Sequence, residues 1–309
     1  MDIEIIGAPI DFGAGRRGVE MGAAAIRIAG LVEKLAALGH SVTDVGDVDV
    51  PVRGHAVIGD PRLRYLDEIL VVHRALAEAV AGTHSRGRFP LVLGGDHSVG
   101  LASIAATSRT HRVGVIWIDT HGDFNTHQTT LTGNVHGMPL AALAGLGFPR
   151  LVSMDGWRAP ERAVDPAGIV IVGARDIDPK EADLLKTAGV TVLSMAVIDR
   201  YGIGRVMEHA IHIAGTDTDG IYASFDLDVM DPSIAPGVGT PSAGGLTVRE
   251  GHLAMELLSA SGRLLGLDVV EVNPVLDERN TTAELAVSLT LSALGKRVWS
   301  RETIPELEH

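Results

Sequence analysis

Val113-Gly114-Val115-Ile116-Trp117-Ile118-Asp119-Thr120-His121-Gly122-Asp123 joins an apolar run to three metal-grade donors placed two residues apart. The run is apolar throughout rather than alternating, the pattern of a strand covered on both faces. Extended backbone has period two, so the side chains of Asp119, His121 and Asp123 can start on one side of the chain. A second pair, Asp226 and Asp228, follows Ile221-Tyr222-Ala223-Ser224-Phe225 in the same manner. Two strand ends carrying clustered carboxylates would repel each other severely, and divalent cations between them are the simplest account.

Outward from this stretch, short apolar runs alternate with helical patterns along the chain. Strands are predicted near 3–7, 41–45, 89–93, 112–118, 168–172, 190–194, 220–226 and 264–271. Helices are predicted near 22–38, 61–81, 98–108, 136–145, 179–188, 196–214, 247–260 and 281–297. Such alternation implies an α/β fold, a single domain built on a mainly parallel eight-stranded sheet with helices on both faces. No linker, repeat or low-complexity tract divides it, so residues 1–306 are expected to form one domain. The terminal Leu307-Glu308-His309 reads as a tag remnant. Ligands of open α/β sheets collect at the carboxyl ends of strands. Gly94-Gly95-Asp96-His97, Asp119 to Asp123, Asp226 to Asp228 and Glu271-Val272-Asn273-Pro274 all fall there, so four strand ends are expected to converge on one cleft.

Bulk composition narrows the class. The chain has 309 residues, 46% of them apolar, enough to bury a substantial core. A net charge of −13 argues against a nucleic-acid binder and suits a cationic ligand. There is no cysteine, which excludes disulfides, thiolate metal sites and Cys nucleophiles and is compatible with the cytosol. The opening Met1-Asp2-Ile3-Glu4-Ile5 does not read as a signal peptide. No apolar run approaches the ~20 residues that span a bilayer, so no membrane is expected as a partner.

Asp and His donors without thiolate favour harder divalent ions, and two histidines among four or more aspartates tilt the choice to manganese. Asp119, Asp123, Asp226 and Asp228 bring four negative charges, which two dications cancel. Two ions sharing carboxylates typically lie roughly 3.5 Å apart and lower the pKa of a bridging water, which then serves as nucleophile. Taken singly, Asp-x-His-x-Asp reads equally well as a capped turn, and Asp226 as a cap. Their joint occurrence at two strand ends, with His97 at a third, favours the metal reading.

These residues resemble the ureohydrolases, and arginases in particular. The resemblance rests on Gly94-Gly95-Asp96-His97-Ser98, Asp119 to Asp123, Gly133-Asn134-Val135-His136-Gly137, Ser224-Phe225-Asp226-Leu227-Asp228 and Glu271-Val272-Asn273-Pro274. Gly239-Thr240-Pro241, Gly244-Gly245-Leu246-Thr247 and the opening Gly7-Ala8-Pro9 and Arg17 to Gly22 fit as well, so nearly the whole chain is covered. The resemblance implies an arginase/deacetylase-like fold and two manganese ions per chain. One would be held by His97, Asp119, Asp123 and Asp226, the other by Asp119, His121, Asp226 and Asp228. It further implies attack of a bridging hydroxide on a guanidinium carbon, giving urea and an amine, in a cytoplasmic homo-oligomer, a trimer or hexamer.

Elementary chemistry fits those roles. The amine leaving group must be protonated, and His136 can supply or relay that proton near neutral pH; alone, it would read as a buried, hydrogen-bonded histidine. Glu271 can pair with the guanidinium or, as a strand-end carboxylate, with a nearby Arg. Thr240 reads as a hydroxyl behind a ligand or as a turn residue. Asn125, Thr132 and Asn134 match arginase positions that contact the α-carboxylate, and neutral donors suit a carboxylate beside an anionic cluster. Asp178 matches the position facing the α-ammonium, and Asp178-Pro179 is also a good helix start. Thr132 stands where Ser is frequent, and Thr120 where Ala is. L-Arginine is therefore expected as substrate ahead of agmatine, guanidinobutyrate or formimidoylglutamate. A mononuclear deacetylase-like enzyme and an inactive regulatory subunit are the competing classes.

Other signals carry less. Gly13-Ala14-Gly15-Arg16-Arg17-Gly18 matches a dinucleotide fingerprint but reads better as a flexible turn into a helix. Arg16 and Arg17 read as surface or subunit-contact residues. Trp117 and Trp157 read as packing residues, and His127, His209 and His252 as surface or structural ones.

Overall fold

In the computed structural model, residues 1–158 and 162–297 are described. The expected tag remnant at 307–309 lies outside them. The strands are β1 (Asp2–Ala8), β2 (Ser41–Asp47), β3 (Phe89–Gly94), β4 (Val113–Ile118), β5 (Ile169–Val172), β6 (Thr191–Leu193), β7 (Gly220–Asp226) and β8 (Leu264–Val270). They form one sheet in the order β2-β1-β3-β8-β7-β4-β5-β6. Every pairing within it is parallel, so the sheet is wholly rather than mainly parallel. The inner strands β3, β4, β5 and β7 are buried along their length, whereas the edge strand β2 is largely exposed.

Alternate residues of each strand feed two apolar layers. Ile116 and Ile118 join Ile5, Leu91, Ala223 and Leu267 on one face; Val115 and Trp117 join Ile6, Val92, Tyr222 and Val270 on the other. The first layer is closed by α1 (Gly22–Ile28), α2 (Leu31–Ala37), and, further along the chain, four more helices. The second is closed by α3 (Leu66–Ser85), α4 (Val99–Thr107), α5 (Pro139–Leu143), α6 (Pro149–Val152) and α7 (Pro179–Ala188). The remaining helices of the first layer are α8 (Met195–Tyr201), α9 (Ile203–Gly215), α10 (Val248–Ser261) and α11 (Thr281–Ala293). Both faces of the sheet are thus covered, as the unbroken apolar strands require.

Helix boundaries depart from the sequence reading where the backbone turns left-handed. The helix expected over 22–38 is two, interrupted at Gly30 with φ +83°, and that over 196–214 breaks at Gly202 with φ +79°. The helix expected from 61 starts at Leu66, behind Tyr65 at φ +56°, and runs on to Ser85. The segment expected as helix 136–145 is a 3₁₀ turn, Val135–Gly137, followed by α5 from Pro139. The last helix ends at Ala293, four residues early. No helix among the described residues is long and apolar enough to cross a membrane.

Register places the site. Ile118 pairs with Phe225, which pairs with Val269, which pairs with Leu93. One residue further on, Asp119 and Asp226 emerge side by side from adjacent strands, and β3, β8, β7 and β4 are consecutive at the centre of the sheet. A close approach completes the edge: a Cβ on Gly95 would lie 1.8 Å from the Ile10 carbonyl oxygen, so only glycine admits the turn that delivers Asp96 and His97.

Candidate metal centre and substrate cleft

His97 Nδ1 is the focus of the cluster. Asp119 Oδ2 lies 2.9 Å from it, Asp226 Oδ2 3.1 Å and Asp123 Oδ2 3.2 Å. His121 Nδ1 lies 3.1 Å from Asp228 Oδ2 and 3.4 Å from Asp119 Oδ1. Two groups of donors close enough to share an ion result: His97, Asp119 and Asp226, and Asp119, His121 and Asp228. Asp119 belongs to both, as a bridging ligand must. Asp123 joins the first through His97, and Asp226 belongs to the first group only.

The capped-turn reading and the ligand reading are both realised, on different atoms. Asp119 Oδ1 accepts from the His121 amide at 2.7 Å, and Asp226 Oδ1 accepts from the Asp228 amide at 2.7 Å. Each aspartate thus ties one oxygen to its own turn and aims the other at His97. Trp117, read from sequence as packing, also donates its indole N–H to Asp119 Oδ2 at 2.9 Å and stacks on His97 with ring centroids 3.8 Å apart. Thr240 donates to Asp228 Oδ2 at 2.9 Å, the place of a hydroxyl behind a ligand. The hydroxyl of Thr120 reaches the Asp228 carbonyl at 2.7 Å, so the side chain that differs from the frequent alanine ties the end of β4 to that of β7.

The donor set fits a pair of hard cations. His97 Nδ1 is buried and has no hydrogen-bond partner among the described residues despite the three oxygens around it, the disposition of a lone pair facing an ion rather than a donated proton. Burial pushes Asp226 well up, with Asp228 and Asp119 reinforcing it, and pushes Asp123 up to about 6, reinforced by Asp119. With no cation between them, the same carboxylates would drive both His97 and His121 far up against the burial of the two rings. Carboxylates competing for protons in this way mark a site built for positive charge.

Beside the ligands lies a cleft of about 220 Å³ lined by His121, Asp123, Asn125, Thr132, Asn134, His136, Asp178, Glu181 and Thr240, among others. Asn125 donates to Asp178 Oδ2 at 3.2 Å and Asn134 Oδ1 accepts from Arg64 at 3.4 Å. Thr132 is exposed at the rim, its hydroxyl receiving the Asn134 amide at 3.2 Å. Asp178 is the N-cap residue of α7 and faces the cleft at the same time. Glu271, the residue after β8, sits at φ +63° and Asp123 at φ +48°; both are backbone conformations that non-glycine residues seldom hold. Glu271 pairs with His136 rather than with an arginine: His136 Nδ1 lies 2.9 Å from Oε1, while Oε2 is buried without a partner among the described residues. Burial alone would lower the His136 pKa, but Glu271, aided by Asp123 and Asp96, raises it to about 9.

Two lining residues escaped the sequence reading. Asp176 borders the cleft, and Glu181 is buried in its wall, accepting from the Phe124 amide at 2.8 Å and the Asp178 amide at 3.2 Å. Burial lifts Glu181 to about 7, with Asp123 adding to the rise. The spacing Asp178-Pro179-Lys180-Glu181 is the signal that would have found it, because a capping box brings its fourth residue back beside its first.

The family model of the arginase family matches residues 1–295. The chain belongs to the arginase family. It is an enzyme, a hydrolase of that family. The Bacillus caldovelox arginase is 46% identical over 96% of this chain and 99% of that protein, and its native structure superposes with a TM-score of 0.92. The arginase of Bacillus subtilis strain 168 is 44% identical over 96% of this chain and 98% of its own length. More distantly, an Entamoeba histolytica arginase solved with L-ornithine is 30% identical, with a TM-score of 0.86 and coverage of 96% and 99%. This arginase-family chain therefore spans nearly the whole length of its relatives. In the stretch that matches a dinucleotide fingerprint, Arg17 pairs with Asp11 and Glu20, and the Gly13 amide donates to Asp96 Oδ2 at 2.8 Å.

Proposed function

We propose that the chain hydrolyses the guanidinium group of L-arginine, giving L-ornithine and urea, at a pair of manganese ions. The observation that carries the reading is the pair of donor groups sharing Asp119 at the floor of an anionic cleft whose wall also offers neutral amide and hydroxyl groups. His97, Asp119, Asp123 and Asp226 would hold one ion, and Asp119, His121, Asp226 and Asp228 the other. When bound, such a pair supplies Lewis acidity and a water of lowered pKa as nucleophile.

The chain's own residues do the rest. Glu271 Oε2, buried and unpaired, is matched by a guanidinium N–H. Asp178 and Glu181 face a substrate ammonium from the start of α7. Asn125, Thr132 and Asn134 offer neutral donors to a carboxylate, which the acidic residues around would otherwise repel. His136 keeps its Nδ1 on Glu271, and its Nε2 has no protein partner among the described residues, so that nitrogen can hold the proton destined for the leaving amine. The curated relatives are named arginases, and one relative was solved with L-ornithine, which supports the choice of arginine. We further propose a cytoplasmic homo-oligomer, trimer or hexamer, measurable by light scattering.

The test is urea release after manganese loading with L-arginine, agmatine and guanidinobutyrate in parallel. Strong preference for L-arginine is expected; comparable turnover of agmatine would overturn the substrate assignment while leaving the ureohydrolase chemistry in place.

A further inference from the structure

Behind His97, on the side away from the cleft, lies a buried polar chain that takes no part in substrate contact. His97 Nε2 is 2.9 Å from Ser224 Oγ. Ser224 Oγ in turn is 3.4 Å from Asp268 Oδ2, which also accepts from Ser103 Oγ at 2.7 Å. Asp268 Oδ1 accepts from the Tyr222 hydroxyl at 2.6 Å. All five side chains are fully buried or nearly so.

Sheet geometry builds this chain. Tyr222 and Ser224 are two apart on β7 and so share a face. Ser224 is paired in register with Asp268 on β8, and Tyr222 with Gly266. A Cβ on Gly266 would lie 2.3 Å from the Tyr222 ring, so the missing side chain is what lets the ring cross β8 to reach Asp268. Ser103 arrives from α4 above.

Donor and acceptor roles then follow one from another. An ionised carboxylate only accepts, so the hydroxyls of Tyr222, Ser103 and Ser224 all point their protons at Asp268. With its proton directed there, Ser224 presents lone pairs to His97, and Nε2 must carry hydrogen. In the neutral ring Nδ1 is then a bare lone pair, aimed at the oxygens of Asp119, Asp123 and Asp226. Outer partners of this kind set the tautomer and ring orientation of metal-binding histidines. We infer that Asp268 is a positioning residue that, through Ser224, holds His97 in the tautomer and orientation needed to ligate one of the two ions.

The inference rests on the metal-centre reading but not on the identity of the substrate. Its test is a binding titration of the purified full chain with Mn²⁺ alone, by equilibrium dialysis and elemental analysis, with EPR detecting a spin-coupled pair. Wild type is expected to bind two ions. Asp268→Asn places an amide donor against Ser224 and is expected to weaken one of the two ions about 10- to 100-fold, leave the other unchanged and abolish the coupled signal at limiting metal. Wild type that fails to bind two ions would sink the metal-centre reading itself. A folded Asp268→Asn that binds both ions as wild type does, or weakens both equally, would overturn the role of Asp268. Should Asp268→Asn fail to fold, the double variant Tyr222→Phe, Ser103→Ala releases the carboxylate from its two short bonds and carries the same readout: loss at one ion supports the inference, and an unchanged isotherm overturns it.

Discussion

His136 and Glu271 meet through Nδ1 and Oε1 at 2.9 Å, and the same oxygen accepts from the His97 amide at 2.9 Å. One carboxylate thus links the candidate proton donor to the turn that carries a metal ligand. Burial works against the His136 charge and Glu271 works for it, with a net rise to about 9. A histidine raised in the folded state contributes stability that is complete below its ordinary 6.5 and fades as pH rises through about 9. Glu271→Gln should therefore move the alkaline limb of the rate profile to lower pH. It should also lower kcat/KM by ~10²-fold or more, since unpairing a buried cation costs about 2–5 kcal/mol. A pH–rate series on both proteins decides it; an unmoved alkaline limb would remove His136 from proton transfer.

Chelation should destabilise the protein. Stripped of cations, Asp119, Asp123, Asp226 and Asp228 face one another with only His97 and His121 between them. Each ion at about a hundred times its Kd contributes ~2.7 kcal/mol to the folded state. Calorimetric melting with chelator and with excess Mn²⁺ should differ by several degrees at pH 7.5. The difference should narrow in mild acid, because Asp123, raised by burial and by Asp119 to about 6, gains a proton as pH falls through that value, and metal has to displace it. Identical melting curves would mean that no cation is held there.

Selectivity should be separable from chemistry at Asn134. Its Oδ1 accepts from Arg64 at 3.4 Å, which turns the amide nitrogen toward the cleft as a donor. Only a substrate with a carboxylate can use it. Asn134→Ala should cut kcat/KM for L-arginine by about 10- to 100-fold, the worth of a hydrogen bond to a charged group, and leave agmatine turnover nearly unchanged. Equal losses on the two substrates would place Asn134 in the general architecture of the cleft instead.

Much of this site is legible before any coordinates are known, and what is missing has specific causes. The unbroken run Val113 to Ile118 calls for a strand covered on both faces; the donors beyond it gather on turns rather than on the extended backbone their period-two spacing suggests, for β4 ends at Ile118, Asp123 is left-handed and Asp228 sits in the 3₁₀ turn Leu227–Val229. That Asp119 should stand beside Asp226 is legible only through the family resemblance and not from periodicity, because it depends on β7 and β8 inserting between β3 and β4. The left-handed turns at Gly30 and Gly202 are invisible to helical periodicity, which continues across them. Trp117 looks like core in sequence because burial and a single indole N–H bond leave the same trace. Asp268 is harder still: an acidic residue inside the apolar strand Leu264–Val270 has meaning only once Tyr222, Ser103 and Ser224 are known to surround it.

Acid sensitivity should have a component far from the cleft, at Glu4 on β1. Its side chain is 3% exposed and is encircled by donors: Arg86 Nε at 3.0 Å and Arg88 Nη1 at 2.7 Å on Oε1, with Thr83 Oγ1 at 2.7 Å and Arg86 Nη2 on Oε2. The Arg86 hydrogen bond, acting against burial and assisted by Thr83 and Arg88, holds the carboxyl down at about 2. A depressed carboxylate contributes stability that is complete above its ordinary value of 4.5 and is lost as pH falls toward about 2. Half of the Arg86 side chain is exposed, so solvent screens part of the pairing. Glu4→Gln is therefore expected to cost about 1–3 kcal/mol at neutral pH, within the range for hydrogen bonds to charged groups. Urea unfolding of both proteins between pH 7 and pH 2.5 measures the difference. It should shrink steadily below pH 4.5, because the unfolded wild-type chain then binds a proton at Glu4 that the folded chain does not bind until about pH 2. A difference that stays constant across that range would assign the loss to packing rather than charge. The metal cluster can be kept out of the comparison by chelating both proteins, since Glu4 lies at the opposite end of β1 from the strand ends that bear the ligands.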